Sequence, residues 1–250
     1  MFIQKHHFVV PSILLFLCQM AFAHAEIKSL PLVQVKSETA KVKKICSSLK
    51  IECSDEASIW KIMASTDSKY YLIDRSLQLV ELNKTNHTFK MLNRWNFSLY
   101  EHSSKTQPDD DLDSFGTEIF PALYPLNHDK FAVAIVKQYG RAYSGGGKGE
   151  HIADFVMLEP NGQYRTALAQ IPFYSYEAIR ACFSEAQYKT SPHCHDESGS
   201  TLTIDFKDIG QPYYQWTLNY TDYNWDAFKA EKFKRIEKRS EVVMPLGKEN

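Results

Sequence analysis

The segment SPHCHDE, residues 191–197, holds the densest set of side chains that could do chemistry. His193, Cys194 and His195, with Cys182 twelve positions earlier, offer the imidazole and thiolate groups that zinc binds tetrahedrally. On a strand, however, His193 and His195 point to one face and Cys194 to the other, so the three cannot easily share one ion. A Cys–His nucleophilic pair would need a base placed by the fold, which adjacency along the chain does not supply. A disulfide between Cys182 and Cys194 is the expectation for this segment.

The stretch AYSGGGKGEH, residues 142–151, raises the question of a phosphate cradle. Such a loop converges backbone N–H groups and a helix N-terminus on the anion. Here Lys148 follows Gly147, but Ala142 stands five positions before that glycine, Glu150 follows Gly149, and HIADFVMLE downstream reads as a strand. The glycines are therefore expected at a hairpin tip, with Arg141, Tyr143 and Lys148 as exposed residues able to bind a protein partner.

Asp109, Asp110, Asp111 and Asp113 could attract calcium, but they lack the alternating positions, central glycine and terminal glutamate of an EF-hand loop. No Gly-x-Ser-x-Gly elbow marks a serine hydrolase. The sequence points to no metal and no cofactor, and it leans away from an enzyme. In PYYQWTLNYTDYNW, Tyr214, Trp216, Leu218 and Tyr220 would share one core-facing side of a strand. Tyr223 and Trp225, expected beyond that strand, are left as surface candidates for sugar stacking or protein binding.

These residues must be positioned by a chain that reads mainly as strands. SETAKVKKICSSLKIEC places Val42, Ile45, Cys46 and Leu49 at helical spacing, with Ser37 or Thr39 as N-cap, and predicts one short N-terminal helix. SIWKIMA, KYYLID, LQLVEL, TFKML and FSLYE follow as short strands, with residues 83–86 as a polar turn. KFAVAIVKQY, HIADFVMLE and QYRTALAQI form a three-strand meander turned by the glycine stretch and by Pro160-Asn161-Gly162. EAIRACF fits a strand or a short helix, TLTIDFK and YYQWTLNY are further strands, and DAFKAEKFKRIEKRS is undecided. About ten strands predict a mainly β, antiparallel meander forming a sandwich or a small barrel or propeller-like arrangement. Residues 103–116, SSKTQPDDDLDSFG, are a possible subdivision of a single β-rich domain over residues 26–250.

The first 25 residues, MFIQKHHFVVPSILLFLCQMAFAHA, read as a signal peptide ending in Ala23-His24-Ala25, with an apolar run too short to span a bilayer. Its removal takes one lysine and no acid from a chain of 29 basic and 30 acidic side chains, which favours neither nucleic acid nor an anionic membrane surface. No membrane insertion of the mature chain is expected. Cys18 leaves with the leader, so four cysteines remain, and short loops favour Cys46–Cys53 and Cys182–Cys194. Four N-glycosylation tripeptides begin at Asn83, Asn86, Asn96 and Asn219, but the leader suggests the periplasm, with secretion as the alternative. The expectation is an exported protein acting by recognition of another protein, for example an envelope inhibitor or immunity-type factor. A small hydrolase of envelope carbohydrate or peptide and a structural envelope component are the alternatives.

Overall fold

The computed structural model describes residues 26–63, 65–86, 88–101 and 111–247. The leader expected at residues 1–25 lies outside them, as do Asp109, Asp110 and residues 103–110 of the possible subdivision.

Strand β1 (Leu30–Gln34) precedes helix α1 (Thr39–Leu49), whose Val42 and Cys46 are buried. The helix starts after Glu38, which is extended and makes no side-chain cap, in place of the Ser37 or Thr39 cap expected. It ends where Lys50 turns left-handed and donates its N–H to the Ser47 carbonyl. Cys46 is joined to Cys53 just beyond this turn. Next to the bridge, the buried Asp74 carboxylate accepts the Ser54 N–H and the Ser54 and Ser76 hydroxyls. Burial alone pushes its pKa up, but the bonds from Ser54 and Ser76 together outweigh burial and hold it below the ordinary carboxylate value. Replacing Cys46 and Cys53 by serine is expected to cost about 2.5 kcal/mol, chiefly by freeing the unfolded chain. Urea unfolding of the double variant checks this.

A meander of four strands follows: β2 (Ser58–Ile62), β3 (Lys69–Asp74), β4 (Gln78–Thr85) and β5 (Thr88–Asn96). FSLYE, expected as a strand, leaves the sheet after Asn96. Strand alternation divides β4: Val80 and Leu82 pack under α1, whereas Leu79 faces the opposite way. Burial of each such aliphatic side chain contributes about 1.5–3 kcal/mol.

The second half comprises β6 (Asp113–Pro125), β7 (Phe131–Tyr143), β8 (Gly146–Leu158), β9 (Tyr164–Arg180), helix α2 (Glu185–Thr190), β10 (His195–Lys207), β11 (Gln215–Trp225) and β12 (Arg235–Val243). EAIRACF is mostly the end of the 17-residue β9. The undecided segment near the C-terminus becomes a 3₁₀ turn at Glu231–Phe233 and then β12. Asp113–Gly116, part of the possible subdivision, starts β6.

The twelve strands of the described residues join one antiparallel sheet in the order β12-β11-β10-β9-β8-β7-β6-β1-β2-β3-β4-β5. The sheet is an open meander, not closed into a barrel. The unbroken apolar run of β7 has a structural cause, since both its faces are buried. Ala132, Ala134 and Val136 join Phe155, Trp216 and Leu218 in one core, whereas Val133 and Ile135 join Leu79, Trp95 and Phe97 in another. Strands β6–β8 are thus covered on one side by the C-terminal strands and on the other by β2–β5. Tyr214, Trp216, Leu218 and Tyr220 lie together in the first core, as their spacing predicts.

Candidate functional site

The ends of β6–β12 form an arm whose construction explains the glycines. The turn of the β7–β8 hairpin is confined to Ser144 and Gly145, so Gly146, Gly147 and Gly149 belong to strand β8 and not to a loose tip. In the arm, directly paired residues run Gly140, Gly149, Tyr176, Gly199, Tyr223 and Ile236 across β7 to β12. Paired residues share a face, so this is one row.

Each of three glycines in the row lies beneath an aromatic ring. A Cβ on Gly140 would come within 2.6 Å of the Phe115 ring, and one on Gly199 within 2.7 Å of the Tyr223 ring. A Cβ on Gly149 would strike the ring of Tyr176. Phe115, Tyr176 and Tyr223 therefore lie down on the backbone of neighbouring strands. With strands about 4.8 Å apart, the row from β6 to β12 extends about 29 Å.

Its surface stays open. Phe115 is 64% exposed, Ile236 59%, Tyr176 40% and Tyr174, its neighbour two positions earlier on the same face, 38%. The rings of Tyr174 and Tyr176 have centroids 6.0 Å apart. Burial, followed by the nearby Tyr174 and Glu197, pushes the Tyr223 phenol up in pKa, so it stays protonated as a donor at neutral pH. Lys234 sits over the Tyr223 ring at 4.1 Å. His151, paired with Tyr174, has its imidazole pKa lowered by burial more than Glu118 raises it, so the imidazole is neutral at pH 7.

The residues singled out in the sequence divide between two faces of this arm. Lys148 is paired with Arg141 and with Glu177, one position out of step with the row, so both basic residues lie on the opposite face. Arg141 meets Asp111 at 3.3 Å and Lys148 meets Glu150 at 3.4 Å. Tyr143, 40% exposed, lies on that face beside the turn. Tyr223 and Trp225 belong to the row's face, within β11 and not beyond it. Trp225 stacks flat on His193 at 3.6 Å and donates its indole N–H to the Lys229 carbonyl. Sequence reasoning missed Phe115, Tyr174 and Tyr176. The alternation of Tyr174 and Tyr176 was visible, but the glycines beneath the rings come from other strands.

The disulfide Cys182–Cys194 closes the β9–β10 end of the arm around α2. Helix α2, unforeseen in the sequence, starts at a capping box in which Ser184 accepts the Gln187 N–H and the Gln187 side chain accepts the Ser184 N–H. The cysteine of the SPHCHDE segment is thus a bridge, and His193 is a stacking partner. Among the described residues no three His, Cys, Asp or Glu side chains converge as metal ligands. Comparison with protein-family models, curated proteins and solved structures finds no match, and the geometry of the arm carries the functional argument.

Proposed function

We propose that this is an exported recognition protein that binds another protein through the aromatic stripe of the arm, acting in the periplasm or outside the cell as an inhibitor or immunity-type factor. The observation that carries the reading is the row Phe115, Gly140, Gly149, Tyr176, Gly199, Tyr223 and Ile236. Large, rigid rings on a fixed backbone lose little freedom on binding, and such rings dominate interface hot spots. An exposed apolar stripe of this extent marks an interaction surface more often than an inert one.

Electrostatics beside the stripe choose the partner's charge. Residues 227–243 carry six basic side chains, Lys229, Lys232, Lys234, Arg235, Lys238 and Arg239, against three acidic ones. Arg235 and Arg239 are matched by Asp226 and Asp222, at 2.9 and 3.1 Å. The partner is therefore an acidic protein surface with an apolar centre, steered by the lysines and anchored by the rings. Two disulfides fit an oxidising compartment, and no helix among the described residues is long and apolar enough to cross a membrane. Site-specific photocrosslinking from Tyr176 and Ile236 on the stripe tests the proposal, which expects one acidic protein to be captured from both positions.

A further inference from the structure

A concave surface lies far from the stripe along the sheet order, between β3–β5 and the loops that flank β7 and β8. It is a cleft of about 710 Å³, within the size range of small-molecule sites. Leu30, Ile62, Leu123, Phe131 and Leu158 form its apolar wall. Opposite them, Tyr71, Glu81 and Asn93 are directly paired across three strands and share the face that looks into the cleft. Trp95 completes that side and is anchored by its indole N–H to the Glu159 carbonyl at 2.8 Å.

The cleft already holds one cation. Lys69 reaches in from the rim and places its ammonium 2.7 Å from Glu81, whose side chain is only 13% exposed, whereas that of Lys69 is 44% exposed. Asn93 donates to the other Glu81 oxygen at 2.7 Å and fixes the carboxylate. The lining residues include the carboxylates of Asp67, Glu81 and Asp129 against the ammonium groups of Lys69 and Lys130, while Glu159, also on the lining, is matched by Arg165 at 3.2 Å. Its charge therefore favours an incoming cation over an anion, and its apolar wall favours one with a hydrocarbon or aromatic body.

We infer that this cleft binds a small organic cation with an apolar body, whose ammonium group takes the place of Lys69 beside Glu81 while the body lies against Leu30, Ile62, Leu123 and Leu158. Lys69 acts as a built-in occupant: flexible and half-exposed, it swings to solvent when the ligand enters. The charge requirement distinguishes this site from a merely greasy groove. Internal competition distinguishes Lys69 from a residue that holds the ligand.

Hexyltrimethylammonium is a suitable probe, with heptanol as its neutral comparison and hexanoate as its anionic one, each titrated by calorimetry into the folded protein. The cation is expected to bind, and the alcohol and the carboxylate to bind at least tenfold more weakly. Glu81→Gln should weaken the cation at least tenfold, and Lys69→Ala should strengthen it severalfold because the competitor is gone. Asp129→Asn, at the exposed rim where folding is not at stake, should weaken it about twofold to threefold and keeps the test decisive if the Glu81 variant misfolds. Equal binding of cation and alcohol, weaker binding by Lys69→Ala, an unchanged affinity in Asp129→Asn, or no binding by the wild-type protein at millimolar probe would each overturn the inference.

Discussion

Asp154→Ala is expected to lower the stability by about 4 kcal/mol, because it removes the buried carboxylate that accepts the Gln170 N–H and the Tyr100 hydroxyl. Asp154 is fully buried in β8, among strands otherwise filled by Ala153, Phe155 and Val156. It accepts the Gln170 backbone N–H at 2.7 Å and the Tyr100 hydroxyl at 2.9 Å. Tyr100 also meets the Thr166 hydroxyl at 2.9 Å. The carboxylate stands where the β8–β9 register shifts, and Gln170 there adopts a left-handed φ of 62°. Its function is to take the backbone donor that the irregularity removes from the ladder, a role no alanine can fill. Asp154→Asn keeps one acceptor oxygen and should lose about half as much. Urea unfolding measures both, and a loss below about 1 kcal/mol in the alanine variant would show that the bulge holds without this carboxylate.

Gly199→Val should cost about 3 kcal/mol, at the upper end for overpacking, because the obstruction is partly backbone. A Cβ there would lie 2.6 Å from the Ser175 carbonyl and 2.7 Å from the Tyr223 ring. The ring can turn away, but the carbonyl belongs to the paired strand β9. Valine therefore opens the β9–β10 ladder and lifts Tyr223 off its bed. Thr203→Val, on the same strand and exposed, is the control and should shift stability by no more than about 0.5 kcal/mol. If the two variants melt alike, the rings do not rest on the glycine backbone and the stripe is not rigid.

The parts of this fold that were legible in the sequence depend on local signals. The β7–β8–β9 meander follows from continuous apolar runs, helix α1 from 3.6-residue spacing, and both disulfides from short loops in a chain read as exported. Strand β1 was missed because LPLVQ is short, and it gains its place only by pairing with β2 and β6. Strand β6 was hidden by Gly116, Pro121 and Pro125 and by two register shifts that accommodate them. Undecided between helix and strand, the segment after β11 is an edge strand whose alternate positions both face water, so no two-residue period marks it. Its charged residues, Arg235, Glu237, Lys238, Arg239 and Glu241, also blunt an open edge against further pairing.

The candidate site shows the same division more sharply. AYSGGGKGEH reads as a turn in the sequence because glycine's conformational freedom is a local property. Its main use at Gly149 is absence of a side chain, and the ring that exploits the absence is Tyr176, from another strand. Residue type alone groups Arg141, Tyr143 and Lys148 with Tyr223 and Trp225 as binding residues. Register separates them onto two faces, and only the second face carries the row of rings.

Photocrosslinking in the native compartment addresses the central claim most directly. A benzophenone amino acid would replace Tyr176 or Ile236 on the stripe, Tyr143 on the opposite face of the arm, and Thr203 on the exposed side of β10 outside the row. Each variant is first shown to melt like the wild type. One acidic protein is expected to crosslink from Tyr176 and Ile236, and adding Lys234→Glu should reduce its yield. Equal crosslinking from Thr203, or none from the two stripe positions in folded protein, would contradict a partner-binding stripe.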